Sequence, residues 1–169
     1  MAKTLTDPIL KQIKAGIEAK IPAELKRDYL AVVTAGLKLM YADQTHQYLQ
    51  EYLRTVQAKG NDPQVIAHGV VKLMTIIQNE SKRPDMIPAI FPAAVVLMCY
   101  ALEDIEKANG VEFTKEQVAD ITKRVTFQLM KVYKIDPKKI HQAVQTGMPK
   151  PGQPAPSAPQ GGLLSQAGV

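Results

Sequence analysis

The residues that most often carry out chemistry are few in this chain of 169 amino acids. Its histidines are His46, His68 and His141, and each falls on a different helix of the pattern described below. Asp43, three residues before His46, gives the one weak metal-like pairing, and a tetrahedral site needs more donors than these two. We interpret Asp43 as a solvated or helix-capping residue and His68 as a partly buried packing residue.

Nucleophiles and paired acids give no stronger signal. Ser81 is the one serine outside the C-terminal tail, and no G-x-S-x-G or glycine-rich phosphate loop occurs. Cys99 is the single cysteine, so we expect a small buried hydrophobe rather than a zinc ligand. Glu103, Asp104 and Glu106 could bind a cation, but a solvated helix end is the stronger expectation. The sequence therefore predicts a protein without enzyme activity, metal or cofactor.

The elements that would hold any site are helices. Apolar residues recur near the 3.6-residue period, and Asp-Pro pairs, a Thr114–Gln117 capping box and isolated glycines mark the helix ends. The pattern predicts an all-α fold, a compact bundle of about six to seven helices. The predicted helices are 8–20, 22–41, 43–59, 63–81, 88–108, 115–134 and 137–146.

One predicted helix, at 86–108, differs from the others because it is apolar on every face. No charge occurs over 86–102, and Pro88 and Pro92 are expected to interrupt its start. A membrane span needs about 20 apolar residues, so this run is short for one. We interpret it as a central core helix, and a membrane-active protein that releases this helix is a third-ranked alternative.

The chain divides by composition into a helical domain at 1–147 and an extended tail at 148–169. The tail holds five prolines and four glycines, and it has few side chains that could bury area. Such a segment buries too little apolar area to offset the chain entropy that it would lose on folding, and its composition is typical of an extended binding arm. The prolines predicted to contact partners are Pro149, Pro151, Pro154, Pro156 and Pro159.

The net charge of +5 is unevenly distributed. Seven basic and four acidic residues lie in 1–40, six and nine in 41–112, and seven and three in 115–139. On the predicted helix 115–134 we expect a basic face with one aromatic ring, diluted by Glu116 and Asp120. A solvated face or a contact with an acidic neighbouring subunit is the favoured interpretation, and nucleic-acid binding is the second. The face comprises Lys123, Phe127, Lys131 and Lys134.

A second candidate contact face holds tyrosines. Tyr41, Tyr48 and Tyr52 are spaced at i, i+7 and i+11, close to one side of a helix. Tyrosine is enriched at interfaces, although an ordinary half-buried stripe explains the spacing equally well. Asp43 and Glu51 argue against nucleic acid at this face.

Two stretches carry a resemblance to a known group of proteins. They are 36–46, GLKLMYADQTH, and 90–110, IFPAAVVLMCYALEDIEKANG. Together with the Pro/Gly-rich tail they resemble small helical virion-associated proteins of tailed bacteriophages, especially short-tailed ones. The resemblance implies a non-enzymatic structural role in the virion, with other virion proteins as partners in many copies. It assigns no functional residue and leaves shell, neck, tail and head interior open.

Overall fold

The computed structural model of the protein describes residues 3–43, 46–136 and 138. Over these residues the chain forms six α-helices and no strand, which confirms the predicted all-α fold. Short 3₁₀ turns at Ala23–Leu25 and Pro84–Met86 lead into the second and fifth helices. The helices are α1 (Pro8–Glu18), α2 (Lys26–Tyr41), α3 (His46–Ala58), α4 (Pro63–Ser81), α5 (Ile87–Asn109) and α6 (Lys115–Val132).

The chain divides into two units, Met1–Ile135 and Asp136–Val169, and the six helices belong to the first. The predicted helix 137–146, apart from Lys138, lies outside the described residues. So do the predicted domain boundary after 147 and the arm at 148–169 with its five prolines.

Local capping explains where the helices begin. The Asp7 carboxylate accepts a hydrogen bond of 2.8 Å from the Leu10 amide, and Asp62 accepts one of 2.7 Å from the Gln64 amide. Both aspartates precede a proline at the first helical position, where its missing N–H costs nothing. Thr114 and Gln117 form the reciprocal capping box at the start of α6. These predicted starts are confirmed.

The helix α5 is the centre of the bundle, as the sequence predicted. It packs against each of the other five helices, and every residue of 93–103 is buried. Among the described residues, Pro84–Asn109 is the one segment long and apolar enough to cross a bilayer. In its most apolar window 72% of the residues are buried inside the protein. That burial is typical of a core helix.

Pro92 does not break or interrupt α5, contrary to the expectation from sequence. The helix runs continuously from Ile87 to Asn109 with Pro92 inside it. A proline inside a helix removes one backbone hydrogen bond and costs about 3 kcal/mol. The residues that follow Pro92 are buried on every face of α5. Their burial offsets that cost, because removing each large apolar side chain from water stabilises the fold by about 1.5–3 kcal/mol.

The contact between α2 and α5 depends on a glycine. A Cβ atom at Gly36 would lie 2.2 Å from Cδ1 of Leu97, and Leu97 is fully buried. Leu97 borders a cavity of only about 20 Å³, so its side chain can move only slightly to make room for an added methyl group. Gly36 therefore sets how closely α2 approaches the central helix.

We predict that Gly36→Ala lowers the free energy of unfolding by about 1–3 kcal/mol, the usual cost of overpacking. Gly16→Ala is the matched control, because a Cβ at this exposed position of α1 meets nothing within 4 Å. That control should raise stability by about 0.4–1 kcal/mol through loss of chain freedom in the unfolded state. Urea denaturation measures both, and equal effects of the two changes would contradict the role of Gly36.

A buried carboxylate fastens the N-terminal segment to α5. Glu103 is 1% exposed and accepts hydrogen bonds from the Thr6 hydroxyl at 2.7 Å, from the Asp7 amide at 3.0 Å and from the Thr6 amide. The Lys107 ammonium lies 3.0 Å from its second oxygen. Beside it Asp104 pairs with Lys3. The expectation of a solvated acid at Glu103 was wrong, because the segment before α1 folds over it and supplies donors.

The surroundings of Glu103 alter its acidity. Burial raises the pKa of this carboxyl group, but the donors from Thr6 and Asp7, with Lys107, outweigh burial and lower the pKa to about 2. A group whose pKa is depressed by folding stabilises the protein above its unfolded pKa, near 4.5, and loses that effect as pH falls towards 2.

We predict that stability falls by about 3 kcal/mol between pH 5 and pH 2 through Glu103 alone. Glu103→Gln should remove most of this dependence and lower stability at pH 7, since the amide cannot pair with Lys107. Thermal melts across this pH range measure the effect, with Glu80→Gln at an exposed position of α4 as the control. A pH profile unchanged by Glu103→Gln would contradict the assignment.

Candidate interaction surface

The histidines do not assemble a site. His68 is exposed on α4, so the expectation of a partly buried packing residue was wrong. The His46 side chain and His141 lie outside what the structure describes. Within the described ranges, no group of three or more His, Cys, Asp or Glu side chains is placed to hold a metal ion.

Cys99 lies on the fully buried stretch of α5, as expected for a small hydrophobe. Burial raises the pKa of its thiol to about 12. The nucleophilic thiolate form is therefore scarce at neutral pH.

The three tyrosines do not form one stripe. Tyr41 is the last residue of α2, whereas Tyr48 and Tyr52 lie on α3 beyond the helix break. The Tyr41 hydroxyl donates a hydrogen bond of 2.6 Å to Asp104, and the Lys3 ammonium lies 4.0 Å from its ring centre. Burial, followed by this bond to Asp104, raises the pKa of Tyr41 well above its ordinary value. Tyr41 thus helps to hold the N-terminal segment.

Tyr48 and Tyr52 line a small cleft of about 240 Å³ between α3 and α4. The Tyr52 hydroxyl donates to the Ile66 carbonyl at 2.9 Å, and its ring lies where a Cβ on Gly69 would stand. The Lys72 ammonium is 5.3 Å from the Tyr48 ring centre. Tyr52 therefore packs the α3–α4 contact, and Tyr48 is the half-buried tyrosine at the edge of the cleft.

An open cleft, the α1–α6 groove, runs between α1 and α6 and has a volume of about 530 Å³. Ile9, Ile13 and Ile17 form its α1 wall, and each is half-buried. Val95 of α5 lies at its floor beside Val118 of α6, and both are buried. Both helices pack on α5, so the space between them stays open above the central helix.

The other wall of the groove belongs to a basic row on α6. Five residues at i, i+4, i+8, i+12 and i+16 are all exposed, and we call them the α6 ridge. By helix geometry the ridge is about 24 Å long, and because each step of four residues turns about 40°, it winds around α6 until Lys131 lies nearly opposite Lys115. Phe127 is 51% exposed, and the Lys131 ammonium lies 4.4 Å from its ring centre. The ridge comprises Lys115, Ala119, Lys123, Phe127 and Lys131.

The acids expected to dilute the basic face are Glu116 and Asp120, and by helix geometry both lie within the arc that the ridge spans. Glu116 and Asp120 precede Arg124 at the same four-residue spacing, and the Asp120 carboxylate accepts a bond of 2.8 Å from Arg124. Over the described part of the chain, the ridge lysines form no ion pair with an acid. Lys134 lies beyond the end of α6 in a left-handed conformation, with φ of 53°, so it is not on the same helical face.

The α1 wall was not identified from the sequence. Its signal was present, since three isoleucines recur at a four-residue spacing on one short helix. That pattern is also what an ordinary core-facing stripe looks like. Whether the stripe is covered depends on the separation of α1 from α6, which arises from the packing of α1 on α5 and of α6 on α4 and α5.

Comparison of the chain with known proteins gives no assignment. No family model, no curated protein and no solved structure matches it.

We predict that Phe127→Ala changes the free energy of unfolding by less than about 0.5 kcal/mol, because the ring is exposed. Leu129→Ala, two residues away on the buried face of the same helix, should cost about 2–5 kcal/mol. Urea denaturation of both variants measures the contrast. A large loss for Phe127→Ala would mean that the ring packs inside the fold instead of forming part of the surface.

Proposed function

We propose that the protein is a non-enzymatic structural or assembly component of a bacteriophage virion. It binds neighbouring subunits through its helical surface and through the C-terminal arm at 148–169. Its partners are other virion proteins, present in many copies. The virion context comes from the resemblance of 36–46 and 90–110, and the binding role from the surface.

The observation that supports binding is the juxtaposition of an open apolar groove with the α6 ridge. A helix that only completes a core exposes a polar outer face. Here Lys123 borders the groove and also belongs to the ridge, followed along the helix by the exposed Phe127. Exposed aromatic and apolar surface beside unpaired lysines is typical of a contact site.

The arm contributes reach, by composition. A proline-rich segment loses little chain entropy when it is bound in an extended form, and each residue spans about 3.1 Å. Twenty-two residues in such a form would bridge roughly 65 Å, enough to pass from one subunit to the next. The helical surface and the arm together would make several weak contacts act as one strong attachment.

We predict that deleting 148–169 leaves the helical domain folded but reduces incorporation into particles at least tenfold. Circular dichroism measures the fold, and quantitative mass spectrometry of purified particles measures incorporation of the truncated chain against the full chain. A variant with the same residues of 148–169 in scrambled order controls for length and composition. Normal incorporation of the truncated protein would contradict the proposed role of the arm.

A nucleic-acid partner is the second candidate, and the α6 ridge is the observation that favours it. Lys123, Phe127 and Lys131 lie within about 80° of one another around α6, so two lysines and one exposed ring could neutralise phosphates and stack on a base. Binding of that kind weakens steeply as salt rises. A salt-sensitive affinity for DNA that is lost in a variant with Lys115, Lys123 and Lys131 all changed to Gln would support this candidate over a protein partner.

A further inference from the structure

We propose that the α1–α6 groove is a docking site for an amphipathic helix of a neighbouring protein, one whose apolar stripe is flanked by Asp or Glu. This inference rests on the proposed function and names the chemistry of one partner. It concerns a site within the helical domain and is independent of the C-terminal arm.

The apolar part of the argument comes from the groove walls. The three α1 isoleucines lie at successive turns over about 12 Å and are half-buried, so each keeps apolar area open to solvent. Val95 and Val118 close the floor with apolar surface. A cleft lined in this way gains free energy when apolar side chains displace its water.

The shape favours a helix as the occupant. Two helices separated above a common floor offer rows of side chains at helical spacing, and a third helix packs its ridges into such a groove. Its anchors would stand at i, i+3 or i+4, and i+7. The described residues form no strand, so they offer no sheet edge to which an extended peptide could add.

The charge at the rim selects an acidic helix. Among the residues that the structure describes, Lys115 and Lys123 are the charged ones that line the groove, and no acid lines it. The groove also reaches the start of α6, at Lys115, where the positive end of the helix dipole favours negative charge. Carboxylates beside the apolar stripe of the partner would meet these groups, whereas lysines there would be repelled.

A displayed library of helical peptides tests the proposal on the full-length protein. Selection should recover peptides with apolar residues at i, i+3 or i+4, and i+7, flanked by Asp or Glu. Ala119→Trp fills the exposed α6 side of the groove and should weaken the recovered peptides at least tenfold in fluorescence anisotropy. Ala58→Trp, at an exposed alanine that ends α3, is the matched control and should leave binding unchanged.

A second pair of variants isolates charge. Changing Lys115 and Lys123 together to Glu should weaken the acidic peptides about tenfold and favour the same peptides with their acids replaced by lysine. The matched control changes Lys26 and Lys59, which are exposed on other parts of the surface, to Glu. It alters the net charge equally and should have little effect, because salt screens distant charges.

Several outcomes would overturn the proposal. They are the recovery of no helical peptide, equal binding to the Ala119→Trp variant, and a loss of affinity that is the same for both charge variants. Binding of anionic vesicles, of duplex DNA or of a second copy of this chain at the groove, with no peptide recovered, would assign another occupant. If the Ala119→Trp protein no longer binds the peptides but still enters particles normally, the groove is not needed for the proposed function.

Discussion

The burial of α5 on every face constrains the rest of this structure. An amphipathic helix needs a partner on one side, whereas the 93–103 segment of α5 needs partners all round. The other five helices supply these partners, and each of them packs against α5. The close approach of α2 at Gly36 and the fastening of the N-terminal segment at Glu103 both bring elements onto this helix. The α1–α6 groove is the open space between two helices that both contact α5.

The features that local chemistry determines were predictable from the sequence. Asp7, Asp62 and the Thr114–Gln117 capping box each act within three residues, so the starts of α1, α4 and α6 could be located before the structure was known. The central position of α5 was also predictable, because a long uncharged run in a bundle of this size has to be enclosed.

The features that depend on distant residues were not predictable in this way. The sequence predicted an exposed acid at Glu103, because nothing near it in the chain indicates that Thr6, 97 residues earlier, covers it. The spacing of the tyrosines predicted one stripe, but the break between α2 and α3 separates Tyr41 from the other two. The sequence predicted the exposed residues Lys123, Phe127 and Lys131 of α6 but not the groove beside them. The groove depends on the distance between helices, which is set by their packing and not by any one segment.

Because Cys99 is fully buried, its reaction with a thiol reagent can measure how often the core of the protein opens. It is the single thiol of the chain, fully shielded and protonated at neutral pH. A thiol reagent in solution therefore reacts with the native protein only as often as the centre of the bundle opens. The rate of modification reads out that opening directly, and a cysteine introduced at the surface would carry a label at one position without interference from the native residue.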